Sequence, residues 1–154
     1  MADPADNPGV RVPPPLFYAA AVIGGWLIDR EWPLPIGGPL RHAVAWMLFA
    51  AFLLLFASAV GSFRRRQTSV FPFRPATTFV IAGPYRFTRN PMYLGAAALV
   101  LAFALWLNTW WPMLFLVPAL VTIQRYVIAR EESYMRRRFG AEYEEYIHRV
   151  RRWL

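Results

Sequence analysis

The sequence predicts an all-α, polytopic membrane helix bundle of about four transmembrane helices, closed by an amphipathic helical tail. Three observations carry this. The apolar share is 57%, above the roughly 45–50% of ordinary soluble chains. The apolar residues are gathered into long runs: Val44–Val60 has Ser58 as its one polar residue, and Tyr93–Leu107 and Asn108–Ile123 carry no charge. The charge stands between and after these runs, in short arginine-rich blocks such as Arg64-Arg65-Arg66 and Arg136-Arg137-Arg138. A hydrocarbon core of ~30 Å asks for roughly 17–25 apolar residues per helix, which the longer runs meet.

The elements follow in order. Residues 1–15, rich in proline and small polar residues, read as a flexible or extended lead-in, with no basic block that would mark a secretory signal. A short first span runs over about Leu16–Ile28, closed by Asp29, Arg30 and Glu31, with Trp26 and Trp32 as interface anchors. Whether it crosses or lies in the interface is open from its length. Pro33, Pro35, Gly37, Gly38 and Pro39 mark a loop. The second span, about Leu40–Gly61, is stopped by Arg64–Arg66. A polar stretch with interleaved aromatic residues and prolines then leads to a third span, about Met92–Leu107. Asn108-Thr109 is a hairpin signal. A fourth span covers about Trp110–Ile128, with Pro118 as a candidate kink.

The tail is different. Met135, Phe139, Tyr143, Tyr146, Val150 and Trp153 recur at helical spacing, and the intervening positions are largely charged. Gly140 is expected to break this run into two helices as a C-cap. Such a helix suits the underside of a bundle or a membrane surface. Residues 1–154 thus read as one domain: a lead-in (1–15), two spans (16–61), then a loop, two spans and the tail (62–154).

The net charge of +8 comes from arginine alone, and with several apolar runs an anionic leaflet is the expected counter-charge, not nucleic acid. Six arginines between residues 62 and 92, and more in the tail, place both segments on the cytoplasmic side by the positive-inside rule. The expected location is a bacterial inner membrane, with the chain multi-pass and its catalytic loop and C-terminus cytoplasmic. There is no cysteine, and His42 and His148 lack metal-ligand spacing, so no metal is expected. No phosphate-binding glycine motif or hydrolytic triad is legible.

Chemistry is expected where the two inner segments meet. Asn90-Pro91 opens a helix whose first N–H groups lack internal partners and could hold a carboxylate beside Arg89. From this segment alone an ordinary loop-to-helix junction, with its arginines setting topology, is the favoured reading. Glu131 and Glu132 follow an apolar span directly, where acids are costly unless solvated or paired. Glu131 shares a helical face with Ile128 and Met135 and is expected to point inward. Glu132, four residues before Arg136, is expected to form a surface pair worth a few tenths of a kcal/mol. Together the segments suit a zwitterion or a cation bearing a carboxylate.

The run from Gly83 to Gly95 (GPYRFTRNPMYLG), followed by Glu131-Glu132 and by Phe139–Tyr146 (FGAEYEEY), resembles the isoprenylcysteine carboxyl methyltransferase and phospholipid methyltransferase superfamily. The resemblance covers about Thr78–Trp153. It implies an S-adenosylmethionine-dependent integral membrane methyltransferase with a lipid or lipidated acceptor reaching the site between helices. It implies that Gly83, Tyr85, Arg89, Asn90 and Tyr93 line the cofactor site. Glu131 and Glu132 would hold the methionine amine or the ribose, Phe139, Tyr143 and Tyr146 would close the site from the tail, and Glu131 and Arg89 would be the catalytic candidates. Many members carry His before the proline where this chain has Asn90. Asn cannot titrate near neutral pH, so a binding role is expected there. The Gly83–Gly95 run also resembles part of the NADPH-dependent sterol reductases, which are much longer. A non-enzymatic adaptor binding anionic lipid through its arginines is the other alternative. The acceptor and the oligomeric state are not legible.

Overall fold

The computed structural model describes residues 8–65 and 81–154. The expectations for the first part of the lead-in and for Arg66–Val80, including Arg74 and its neighbouring prolines, lie outside the described residues. The described residues form five α-helices: α1 (Pro15–Asp29), α2 (Arg41–Arg65), α3 (Pro91–Leu107), α4 (Trp111–Thr122) and α5 (Ala129–Arg149). A 3-10 turn at Gly83–Arg86 precedes α3, and a π-helical stretch at Ile123–Ile128 joins α4 to α5. No strand occurs among the described residues. The chain is an all-helical membrane bundle.

Proline sets three helix starts. Pro15, Pro91 and Pro112 each stand in a first turn, where the missing N–H removes no helical bond. α3 ends on Asn108, held in the left-handed region at φ 59°. Asn tolerates this region, and its amide can bond the backbone nearby. Here its Oδ1 accepts the Gly37 N–H at 2.9 Å. The 30–40 connection is clipped to the α3–α4 turn by further bonds. Trp110 N–H donates to the Leu34 carbonyl (3.0 Å) and the Trp111 indole to the Trp32 carbonyl (2.8 Å). The two connections therefore lie at one end of the bundle, and the arginine-rich segments meet at the other.

α2 pairs chiefly with α3, and α1 with α4. Among the described residues two rods are long and apolar enough to cross a membrane, α2 and the continuous Trp111–Arg149 run, while α1 and α3 are shorter apolar helices. Only 11% of the most apolar stretch of α2 is buried within the protein. An apolar helix so exposed is a membrane element and not the core of a water-soluble fold. With no water to expel between helices in lipid, close packing through small residues holds such pairs. Ala45 and Ala59 of α2 are fully buried, and Gly25 brings the backbone of α1 onto α4.

A Cβ at Gly25 would stand 2.5 Å from the Pro112 nitrogen, whereas one at the adjacent Gly24 would meet only the Phe115 ring edge at 3.7 Å. Gly25→Ala is therefore expected to cost about 1–3 kcal/mol through overpacking, with Gly24→Ala near neutral. Thermal unfolding in detergent checks this: equal melting points for the two variants would contradict the packing.

The Trp111–Arg149 rod departs from a plain helix. Pro118 lies inside α4 and removes one helical bond. The Thr122 hydroxyl donates to the Pro118 carbonyl at 2.9 Å, and the helix then widens to the π form over Ile123–Ile128. Below it, α5 breaks at Gly140 (φ 49°, ψ −122°), a conformation outside the helical and left-handed wells that L side chains adopt. The expected break is there, as a kink between two helical segments and not a left-handed C-cap.

Candidate active site

Glu131 and Glu132 lie in the first turn of α5, beyond the apolar part of the rod. Glu132 follows the fully buried Ile128 by four residues, which puts it on the same inward face. It is 5% exposed, too buried for an unpaired carboxylate. Arginines meet it from two directions. Arg89 Nη1 stands 3.1 Å from Oε1. Arg152 donates through Nε to Oε1 (3.0 Å) and through Nη2 to Oε2 (2.6 Å), the bidentate fork that suits a carboxylate. The expected surface pair of Glu132 with Arg136 is not formed. Arg136 instead donates to Glu144 at 2.9 Å across the Gly140 kink, because burial turns Glu132 toward Arg89 and the chain terminus.

Glu131 accepts a hydrogen bond from the Tyr93 hydroxyl at 2.8 Å, which joins the first turn of α3 to the first turn of α5. The inward orientation expected for Glu131 is observed. Burial pushes its carboxyl up to about 7, against a smaller lowering by the Tyr93 hydroxyl and a further rise from the Glu132 charge. Tyr93 is in turn fixed from α1, whose Tyr18 hydroxyl donates to the Tyr93 carbonyl at 2.9 Å.

The loop before α3 is held from both sides. Gly83 has φ 59°, and a Cβ there would lie 2.5 Å from Ser62 Oγ of α2, so glycine is needed for both conformation and contact. Tyr85 packs edge-on against Phe63 at 5.4 Å, and its carbonyl accepts the Tyr146 hydroxyl at 2.7 Å. Tyr143 and Tyr146 are buried with Val150, against Ile81, Met135 and Phe139. Burial raises both phenols, Tyr143 to about 12, so they stay neutral donors at neutral pH.

The chain terminus forms a strap across this loop. Arg89 N–H donates to the Arg151 carbonyl at 3.0 Å. The Thr88 hydroxyl and the Asn90 amide both donate to the Arg152 carbonyl, at 3.2 and 2.9 Å. The Trp153 indole donates to Gln124 Oε1 of the π-helical stretch at 3.0 Å. Asn90, where the superfamily often has His, thus uses its side chain to hold the tail.

Of the residues singled out from sequence, Tyr93 and Glu131 are brought into contact, as are Arg89 and Glu132, and Tyr85 and Tyr146. Gly83 faces α2, and Asn90 faces the strap. Arg152, Thr88 and Tyr18 were not singled out. Arg152 stands in a run with Arg149 and Arg151, and nothing in that pattern marks the one that turns inward. Tyr18 carried a signal, a lone hydroxyl within an apolar run.

What the arrangement offers is one cationic wall and one anionic wall. Arg89 and Arg152 outnumber the Glu132 they share, and Arg89 Nε is buried with no hydrogen-bond partner among the described residues. Buried polar atoms of this kind usually have a partner, so Nε is a donor left over for an anionic group. On the other side, Glu131 offers a carboxylate oriented by Tyr93.

The sequence pattern of the phospholipid methyltransferase family matches residues 40–142. That region contains α2, the Gly83–Asn90 loop, α3, α4 and both acids of α5. An uncharacterized protein of Haemophilus influenzae is 41% identical over 63 residues, which is its whole length and 41% of this chain. With two-thirds of its length matched, the chain belongs to the phospholipid methyltransferase family.

Proposed function

We propose that the protein transfers a methyl group from S-adenosylmethionine to a lipid or lipidated acceptor at the cytoplasmic face of a bacterial inner membrane. Residues 1–154 act as one domain, with α1, α2, α3 and α4 crossing the bilayer. The observation that carries the reading is the pairing of a spare Arg89 donor with the Tyr93–Glu131 acceptor, in a chain of this family. A methionine head group has one carboxylate and one ammonium, and these walls match that pair in sign. The residues present therefore fit the cofactor: Arg89 toward the carboxylate, Glu131 toward the ammonium, with Tyr85, Tyr143 and Tyr146 closing the aromatic side. Gly83 and Asn90 shape the site by holding the loop to α2 and to the strap, and Glu132 acts by fixing Arg89 and Arg152. Membership of a methyltransferase family also favours methyl transfer over a reductase or an adaptor.

When bound, S-adenosylmethionine supplies an electrophilic methyl group on a sulfonium. The protein's contribution is position and exclusion of water, which suffice for much of an in-line displacement. The acceptor decides whether a base is needed. A carboxylate acceptor arrives ionised. A phospholipid ammonium must first give up a proton, and Glu131, engaged with the cofactor's ammonium, is not the group that takes it. We assign the phospholipid amine as the acceptor on the match to the phospholipid methyltransferase family.

Incubating the purified protein with tritiated-methyl S-adenosylmethionine and phosphatidylethanolamine vesicles tests this. The expected result is label in a phospholipid fraction, reduced about tenfold or more in Glu131→Gln at limiting cofactor, the size of a lost charged hydrogen bond. Unlabelled phospholipid, with a native protein that binds S-adenosylhomocysteine, would overturn the acceptor assignment.

A further inference from the structure

We propose that the outward side of the α1–α4 pair is a binding site for one anionic phospholipid, separate from the Tyr93–Glu131 site and independent of how that site is read. Between α1 and α4 lies an open groove of about 310 Å³, with Phe17 and Gly24 on one wall and Phe115, Pro118 and Thr122 on the other. That volume is at the small end of ligand pockets, which run roughly 300–1,000 Å³. Its one hydroxyl, on Thr122, is already donated to the Pro118 carbonyl. The groove is therefore lined almost wholly by apolar atoms, and a hydrocarbon chain suits it.

The chemistry at the groove's end selects the rest of the molecule. Phe17 meets Tyr126 edge-on at 6.4 Å, so the groove ends on Tyr126. The Tyr126 hydroxyl accepts the Arg11 backbone N–H at 3.2 Å. The Arg130 guanidinium lies 4.1 Å from the Tyr126 ring centroid and donates to the Tyr126 carbonyl at 2.9 Å. Tyr126 thus anchors two exposed arginines, one from before α1 and one from α5, at the mouth of an apolar groove. Neither has an ion-pair partner among the described residues. Basic sites between membrane helices take anionic headgroups, and guanidinium groups match phosphate oxygens in geometry. An acyl chain in the groove puts a headgroup at this pair of arginines. The Glu131 carboxylate, by contrast, is bonded to Tyr93 of α3.

Native mass spectrometry of the full chain with phosphatidylglycerol and phosphatidylcholine of identical acyl chains tests the site. One phosphatidylglycerol is expected to be retained in preference to phosphatidylcholine by on the order of tenfold, as two arginines at a headgroup imply. Arg11→Ala with Arg130→Ala should abolish the preference, and Arg11→Lys with Arg130→Lys should keep it. Gly24→Leu, which fills the groove, should lower retention of both lipids. Ala20→Leu, at an exposed position of the same wall, serves the same purpose if Gly24→Leu does not fold. Equal retention of the two lipids by the native chain, or a preference unchanged in the double alanine variant, would overturn the proposal. So would retention unaffected by filling the groove.

Discussion

Binding of S-adenosylhomocysteine should weaken as pH falls below about 7 and level off above it, and this dependence should vanish in Glu131→Gln. The sign follows from Glu131, whose carboxyl is raised from 4.5 to about 7. Only its ionised form attracts the ligand ammonium. Below about 7 a proton competes with the ligand, so affinity drops by up to about tenfold per pH unit. Above it the carboxylate is already ionised and nothing more is gained. Glu131→Gln keeps the shape but removes the charge, which at pH 8 should cost about 1.5–3 kcal/mol, the range for hydrogen bonds to charged groups. Tyr93→Phe separates this account from a purely structural one. The Tyr93 hydroxyl lowers the Glu131 carboxyl, so its removal should move the midpoint to higher pH while binding at alkaline pH largely persists. Isothermal titration calorimetry over pH 5.5–8.5 reads all three curves. A flat profile for the native protein would contradict the assignment of Glu131 to the ammonium.

The second large effect is on stability, at Glu132. Glu132→Ala leaves Arg89 and Arg152 without the carboxylate they share. Breaking a buried pair from the more buried side costs roughly 3–5 kcal/mol. Arg152→Ala should cost clearly less. Its side chain is 37% exposed against 6% for Glu132, and Glu132 keeps Arg89. The double variant should be less damaging than the sum, since one mutation removes the cause of the other's cost. Unfolding in detergent gives the ranking. Hydrogen exchange gives the location: the Arg89 amide, bonded to the Arg151 carbonyl, should lose protection in Glu132→Ala. Equal effects of Glu132→Ala and Arg152→Ala would contradict the shared-carboxylate geometry.

Much of this architecture is legible in the sequence, because the bilayer writes its demands locally. Apolar run length marks the helices, Pro91 and Asn108 bound α3, and Gly140 breaks α5. The inward turn of Glu131 follows from its spacing to Met135 and its place after an apolar span. The side of the helix taken by Glu132 is a different matter. Within α5 alone, Arg136 is an adequate partner for it. What decides is a countercharge 43 residues earlier, Arg89, and another 20 residues later, Arg152. Such pairings depend on how the loop and the tail fold over one another. The strap was hidden for a similar reason: its bonds run through the backbone carbonyls of Arg151 and Arg152, and a carbonyl has no sequence signature. The π-helical stretch at Ile123–Ile128 shows only as Pro118, whose presence predicts a disturbance but not its form.

The central claim is that the walls formed by Arg89 and by Tyr93–Glu131 hold a sulfonium cofactor's amino-acid head group. Calorimetric titration of detergent-purified protein with S-adenosylhomocysteine at pH 8 tests it most directly. One site per chain is expected, with affinity reduced on the order of tenfold or more in both Arg89→Ala and Glu131→Gln, as loss of a charged hydrogen bond implies. Absence of binding by the native, folded protein, or undiminished binding by both variants, would contradict the claim.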